Sequence, residues 1–310
     1  MEIFTQSADF LENIFAPTEE IDESFYYFLI DSSSFSGVDS FCKDFPFDGG
    51  QKINLYLDFS ENLQENGALL YSFTHEECIK NIELIKNIRD QGGLNFFNSY
   101  FEIEQIKEHL EELMEIKQPN GKSALFRFQD SFAFHATVSV LNELKWRKIL
   151  SFKINYWIWQ NIDNTFHRLD NFPTNRSILT TLSFSEDEFK DININLKPMR
   201  LMPLLKEYDE NLKDLPFYQL YEIAINLLKE AKKQQLISFE DEILFSTLYH
   251  KFGEFLLAEG PFKKALNKTQ MTAMSFQKTT DEIDLEELDD WYKRYQRSSS
   301  LNIFITEIIH

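Results

Sequence analysis

Short apolar runs and amphipathic stretches alternate along the first half of the chain. Residues 25–30 are six consecutive aromatic or aliphatic side chains, and Asp31 and three serines follow them. A short run that is apolar on both faces and ends in turn-forming residues is typical of a buried central strand. Similar runs predict further strands at residues 53–59, 68–73, 124–128 and 149–159.

Helical patterns fill the intervals between these runs. Thr74 and Glu77 have the spacing of a capping box, and isoleucines then recur every third residue from Ile79, which predicts a helix start. Residues 103–113 place isoleucine and leucine on one helical face and mostly charged residues on the others, and residues 131–145 are predicted to form another helix. This alternation predicts a mixed α/β lobe.

The pattern changes after Pro173. Capping-box spacings at Ser185 and Ser238 precede helical patterns, so the second lobe is predicted to be mainly helical. The β-branched and aromatic content of residues 301–309 instead favours an extended strand, which would pair within its own lobe or add to the sheet of a partner.

Together these patterns predict an α/β fold. A mixed-sheet N-terminal lobe with flanking helices is followed by a mainly helical C-terminal lobe. The predicted divisions are an N-terminal extension at residues 1–21, an α/β domain at 22–175, and a helical lobe at 176–310 that ends in the apolar segment.

Charge narrows the classes of function. The 310 residues include 31 basic and 51 acidic side chains, which gives a formal net charge of −20, so binding to nucleic acid or to an anionic membrane is not expected. The N-terminus lacks the form of a signal peptide, and no uncharged apolar run reaches about 18 residues. These features predict a cytoplasmic protein in which Cys42 and Cys78 are reduced.

Catalytic patterns are missing from the sequence. The six histidines are scattered, and there is no phosphate-binding glycine loop and no nucleophile elbow. His75 and Cys78 lie three residues apart at a helix start, but nothing nearby offers further metal ligands, so a hydrogen-bonded histidine and a packed thiol are the favoured interpretation. We therefore expect no catalytic residue, no metal and no cofactor.

Arg127 and Asp130 are the polar pair that differs most from its surroundings. An arginine inside an apolar strand requires a carboxylate or carbonyl partner, because an unpaired buried charge is costly. Asp130 can also cap the helix predicted from residue 131. The pair is interpreted as a brace between strand and helix, with contact to a partner protein as the alternative.

Candidate partner-binding residues occur near the C-terminus. Residues 281–290 contain seven acids, which predicts a solvated helix face or, alternatively, a docking segment for a basic partner. Aromatic and apolar anchors follow it, whereas Trp157 and Trp159 are expected in the core. The candidate anchors are Trp291, Tyr292, Tyr295, Ile303, Phe304 and Ile305.

A series of short motifs resembles the effector adaptor/chaperone family of type VI secretion (Tap/TEC-type). The motifs are His109-Leu110, Asn120-Gly121 and Phe126-Arg127-Phe128-Gln129-Asp130, with Phe28-Leu29-Ile30-Asp31 and residues 65–70 upstream and a weaker similarity at residues 231–242. The chain departs from the family pattern at Ala68, Gln129 and Ser131, where proline, an aromatic residue and proline are usual.

This resemblance implies a cytosolic, non-enzymatic protein without a cofactor. Such an adaptor binds a toxic effector and helps to load it onto the VgrG spike, so its implied partners are these two proteins. His109 joins Arg127 and Asp130 as a residue that braces the fold or contacts a partner. Two alternatives are an acidic immunity protein that neutralises a toxin by direct binding and an enzyme of unrecognised type.

Overall fold

The computed structural model describes residues 10–16, 23–91, 93–161, 165–171, 181–236, 238–258, 260–272 and 274–309, with side chains described as far as residue 297. The chain forms two compact units, Met1–Leu196 and Lys197–His310, called unit 1 and unit 2 below. The predicted boundary between residues 175 and 176 lies outside the described residues.

Unit 1 is built from nine strands and eight helices in its described part, followed by the start of a ninth helix. The strands are β1 (Phe25–Asp31), β2 (Gln51–Asn54), β3 (Ala68–Phe73), β4 (Asn95–Ser99), β5 (Glu115–Lys117), β6 (Ser123–Leu125), β7 (Tyr156–Gln160), β8 (Phe166–Asp170) and β9 (Leu182–Ser183). The helices are α1 (Phe10–Ile14), α2 (Val38–Asp44), α3 (Glu61–Glu65), α4 (His75–Lys80), α5 (Ile82–Asp90), α6 (Ile103–Met114), α7 (Ser131–Val138) and α8 (Glu143–Leu150).

The main sheet has six strands in the order β2-β3-β1-β4-β7-β8. Every neighbouring pair in it is antiparallel, and Phe28 of β1 lies opposite Tyr71 on one side and Phe96 on the other. A second sheet, β6-β5-β9, contains the parallel pair β5–β9. The α/β class is therefore confirmed, and parallel pairing is confined to the small sheet.

The main sheet separates two apolar cores, which explains why β1 is apolar on both faces. Tyr27 and Leu29 belong to the first core, which also receives side chains of α6, α7 and α8. Phe28 and Ile30 belong to the second core, with side chains of α1, α2, α4 and α5. Because α1 packs into the second core, part of the predicted N-terminal extension belongs to the folded unit.

The tryptophans of β7 confirm the expected core assignment. Trp157 and Trp159 are completely buried in the first core. The Trp157 ring stacks on Phe134 of α7 with centroids 4.5 Å apart, and its indole N–H donates to the side-chain oxygen of Asn95 at 2.6 Å. These contacts join α7 to the sheet.

Several predicted elements have different limits in the structure. The predicted strand at 149–159 is wrong over its first part, because α8 continues to Leu150 and ends where Ser151 takes φ +53°. The predicted helix at 131–145 is two helices, since residues 139–142 separate α7 from α8. The predicted strands at 53–59 and 124–128 extend only to Asn54 and Leu125.

Unit 2 is helical throughout its described part, as predicted. Its helices are α9 (Glu186–Tyr208), which begins in unit 1, and α10 (Phe217–Lys233), α11 (Phe239–Phe252), α12 (Pro261–Thr272), α13 (Phe276–Asp281) and α14 (Leu285–Ile309). They enclose two apolar clusters, one around Leu201 and Leu220 and the other around Phe245 and Trp291. No helix in the described part of the chain is long and apolar enough to cross a membrane.

The predicted C-terminal strand at residues 301–309 is wrong, because α14 continues to Ile309. Asp284 starts this helix by accepting hydrogen bonds from the backbone N–H groups of Glu286 and Glu287. No glycine or proline follows before residue 309. Once a helix has started, each added residue contributes a hydrogen bond, so continuation outweighs the local strand preference.

The capping box of α4 gives a test of local helix stabilisation. Thr74 accepts from the Glu77 N–H at 3.3 Å, and its own N–H donates to the Glu77 carboxylate at 2.8 Å. Replacing Thr74 with alanine should lower the free energy of unfolding by about 1 kcal/mol, measured by urea denaturation. Ser60 is the matched control, because it begins α3 without a side-chain cap bond; equal losses for T74A and S60A would contradict the prediction.

Candidate functional site

The end of β1 carries an ion pair between residues far apart in the chain. Asp31 is the last residue of β1, and its Oδ1 accepts from the N–H of Ser33 at 3.3 Å and from the Ser33 hydroxyl at 2.6 Å. Its other oxygen, Oδ2, lies 2.6 Å from Nη2 of Arg127. Each oxygen of this largely buried carboxylate therefore has a partner.

Asp130 is the second acid near Arg127, and we call Asp31, Arg127 and Asp130 the cluster. Its Oδ1 accepts from the N–H groups of Phe132 and Ala133, both at 3.0 Å, which confirms the predicted cap of α7. Its Oδ2 lies 3.8 Å from the Arg127 guanidinium. Arg127 thus bridges two acids, and Asp31 is the closer one.

The expectation that Arg127 lies inside an apolar strand is wrong. β6 ends at Leu125, so Arg127 lies in the connection to α7, and 49% of its side chain is exposed. The Asp31 and Asp130 side chains are 11% and 17% exposed. The arginine therefore pairs with two acids while part of its side chain stays exposed to solvent.

Burial and the neighbouring charges both shift the pKa values of Arg127 and Asp130. Partial burial opposes the charge of Arg127, but the carboxylates of Asp31 and Asp130 raise the pKa of its guanidinium. Burial raises the pKa of Asp130, and the Asp31 carboxylate adds to the rise, while the helix N–H groups and Arg127 oppose it. Replacing Arg127 with a neutral side chain would leave two acids in mutual repulsion.

A buried hydrogen-bond network holds the connection that carries Arg127. The Asn95 amide donates to the Phe128 carbonyl at 2.7 Å, and Asn95 is itself held by Trp157. The Gln129 amide donates to the Tyr56 hydroxyl at 2.8 Å. Burial raises the pKa of Tyr56 to about 12, so its phenol stays protonated at neutral pH.

Exposed apolar residues lie beside this network. The Tyr56 ring is 5.2 Å from the ring of Phe59, and Leu57 and Phe59 are 60% and 39% exposed. We call Arg127, Leu57 and Phe59 the Arg127 surface. Arginine and aromatic side chains beside exposed apolar groups are typical of protein-binding sites.

His109 lies in the core, away from the surface. It is 4% exposed on α6, and its Nε2 lies 2.7 Å from the carbonyl oxygen of Ile149. Because a carbonyl only accepts, Nε2 carries the proton. Burial lowers the pKa of His109 to about 4, so the neutral imidazole joins α6 to α8.

The predicted aromatic anchors of unit 2 have different positions. Trp291 is 1% exposed and packs against Phe252 and Phe262, so it lies in the core, and a partner contact by it stays a prediction. Tyr292 is 38% exposed, and the partly buried Tyr295 donates to the Lys251 carbonyl at 2.9 Å. The side chains of Ile303, Phe304 and Ile305 lie outside the described part.

The residues considered for metal binding have other contacts. His75 Nε2 lies 3.0 Å from the Ala16 carbonyl oxygen. Cys78 is completely buried, and burial raises the pKa of its thiol well above the ordinary range. Within the described residues, no group of three or more histidine, cysteine or acidic side chains could hold a metal ion.

Sequence reasoning missed two features of the site. Asp31 was noted as part of a motif but not as the main partner of Arg127, which is 96 residues away. The sequence patterns also do not predict the hydrogen bond between the Gln129 amide and the Tyr56 hydroxyl. The available signal was that the strand motif ends in an acid, Asp31, and the later motif contains a base, Arg127, each next to apolar residues.

The Asp31–Arg127 pair should contribute more than an ordinary surface pair. In a double-mutant cycle with Asp31→Asn and Arg127→Met, we expect a coupling of about 1 kcal/mol in the free energy of unfolding. The exposed Lys80–Glu76 pair on α4 is the matched control, with about 0.3 kcal/mol expected. Equal couplings would show that the pair at the end of β1 has no special role.

The buried His109 predicts a loss of stability in acid. Its pKa is lower in the folded chain, about 4 against an ordinary 6.5, so the folded state disfavours protonation of the His109 imidazole. The stabilisation is present above pH 6.5 and is lost towards pH 4, by up to about 1.4 kcal/mol per pH unit.

His109→Gln retains a donor for the Ile149 carbonyl and should flatten this pH dependence in urea unfolding curves. His75→Gln is the control for removing a histidine. A pH profile of H109Q that matches the original chain would contradict the buried neutral imidazole.

One family model matches the chain. Residues 26–148 match the model described as a domain of unknown function, DUF4123, and this domain is known in type VI secretion effector adaptors. No curated protein and no solved structure matches the chain. The matched region runs from β1 into α8 and contains Asp31, Arg127 and Asp130, whereas unit 2 lies entirely outside it.

Proposed function

We propose that the chain is a non-enzymatic cytoplasmic adaptor that binds a type VI secretion effector and helps to load it onto the VgrG spike. The observation that carries this proposal is the match of residues 26–148 to the DUF4123 model. The residues of the adaptor motifs also meet in space: Asp31 from the first motif contacts Arg127 from the last.

The partners of the cluster residues support a binding role over a catalytic one. Asp31 is held by Ser33 and Arg127, and Asp130 is engaged as a helix cap. Tyr56 accepts from Gln129 and has a pKa of about 12. A general acid or base needs a pKa near the working pH and a free path to substrate, whereas these groups fix the position of Arg127.

The Arg127 surface is the proposed contact of unit 1 with the spike. It belongs to the part of the chain that matches the family model, and a spike protein is the partner that different adaptors would share. The surface combines a held guanidinium with exposed Leu57 and Phe59. A small patch of this kind suits a moderate interface that must later release.

Charge differs between the two units and supports a division of labour. Unit 1 holds 16 basic and 32 acidic residues, and unit 2 holds 15 and 19, so their formal charges are −16 and −4. Contacts of unit 1 should therefore depend more strongly on salt than those of unit 2. Selection of the effector is proposed to rest on unit 2, which the family model does not cover.

Co-purification tests the proposal directly. The chain is co-expressed with a candidate effector and the VgrG of the same secretion system, and both should be recovered on the tagged chain. Leu57→Ser should reduce recovery of VgrG several-fold because it removes an apolar contact. Leu144→Ser on α8 is the matched control, since both leucines are 60% exposed. Recovery of neither partner would contradict the adaptor function.

Neutralisation of a toxin is the second candidate function, and the net charge of −20 favours it. An acidic protein associates rapidly with a basic toxin by electrostatic steering. A protection assay separates the two functions, because an immunity protein rescues cells that express the toxin, while an adaptor promotes delivery. Rescue without co-purification of VgrG would favour the immunity function.

A further inference from the structure

Unit 2 contains a groove that the functions above do not explain. Its volume is about 720 Å³, and its lining comes from α9, α11, α12 and α14 together with the residue after α9. Tyr208 and Leu285 are 69% and 79% exposed at its sides, and Tyr292 is 38% exposed. We call the groove with this lining the unit 2 groove.

The base of the groove is part of the core. Phe252, Phe262 and Trp291 line it and pack against one another, with ring centroids 4.9 Å apart between Phe252 and Trp291 and 5.0 Å between Phe262 and Trp291. Trp291 is 1% exposed. The groove therefore has a packed aromatic base, and it needs little rearrangement to receive apolar side chains.

The surroundings of the groove are acidic. Asp209 and Asp289 line it, and on α14 Glu286 follows Leu285 and Asp290 precedes Trp291 in the chain. His250 and Lys293 contact the two lining acids at 3.0 and 2.5 Å. Lys293 also lies 3.8 Å from Asp290, and Lys251 lines the groove. Glu286 forms no ion pair with any of the described residues. A partner with lysine or arginine beside an apolar face would complement this rim.

The form of the partner follows from the secondary structure. Every described element of unit 2 is a helix, so an incoming β-strand would find no sheet edge there to pair with. An amphipathic helix instead places apolar side chains in a groove through positions i, i+3, i+4 and i+7. Two copies of the same acidic surface would repel each other, which disfavours self-association.

We propose that the unit 2 groove docks an amphipathic helix of the effector, with aliphatic side chains facing Leu285 and Tyr208 and basic residues facing the rim. The assignment to the effector rests on the proposed adaptor function. Because unit 2 lies outside the family match, a site there can differ between adaptors that carry different cargo. The acidic stretch at 281–290 then acts as part of a docking surface.

A designed peptide tests the groove separately from the adaptor function. The probe is a fluorescein-labelled helical peptide of roughly 18 residues with leucine on one face and lysine on the other, titrated with the full chain and followed by anisotropy. Leu285→Ser and Tyr208→Ser should each weaken binding about tenfold. A peptide with glutamate in place of lysine should bind more weakly.

Unit 2 offers matched controls for both variants. Met271 is 85% exposed on α12 and Tyr218 is 41% exposed on α10, and neither lines the groove. Met271→Ser and Tyr218→Ser should bind the peptide like the original chain. Urea unfolding confirms that all four variants are folded. If L285S and M271S bind the peptide equally, the groove is not a docking site.

Co-purification then tests the assignment to the effector. L285S should lose effector while retaining VgrG, and full recovery of the effector by L285S would overturn the assignment. If the original chain recovers neither protein, the adaptor function fails, and the peptide titration still decides whether the groove docks a basic helix. If the chain forms a concentration-dependent dimer that L285S abolishes, the groove binds a second copy of the chain, and the proposal is overturned.

Discussion

The ion pair between Asp31 and Arg127 is the contact on which the proposed site depends. β1 is buried on both faces and ends in a carboxylate, and a buried carboxylate is stable only with hydrogen-bond donors or an opposite charge. Ser33 and Arg127 supply these. The requirement brings the connection between β6 and α7 to the end of the central strand, and with it the half-exposed side chain of Arg127.

A series of hydrogen bonds connects the core of unit 1 to the connection that carries Arg127. Trp157 holds Asn95, Asn95 holds the Phe128 carbonyl, and Gln129 is held by Tyr56. The two residues that follow Arg127 are therefore fixed by residues of the buried sheet and its neighbours. A side chain fixed in this way loses little conformational entropy on binding, which favours its use as a contact.

Local patterns predicted much of the fold. β1, β3, α6 and the capping box of α4 were correct because their signals lie within a few neighbouring residues. The limits of α8 and the helical C-terminal segment were not, since tertiary packing and helix continuation outweigh strand preference there. Likewise, the Asp31–Arg127 pair and the unit 2 groove bring together residues that are far apart in the chain. Patterns in a single sequence do not predict such contacts.

We propose that one chain holds two partners at once, through the Arg127 surface of unit 1 and the groove of unit 2. Light scattering on a size-exclusion column measures this most directly, with purified chain, effector and VgrG mixed in equal amounts. We expect a single peak whose mass contains all three proteins. Two separate binary complexes, with effector and VgrG displacing each other from the chain, would contradict it.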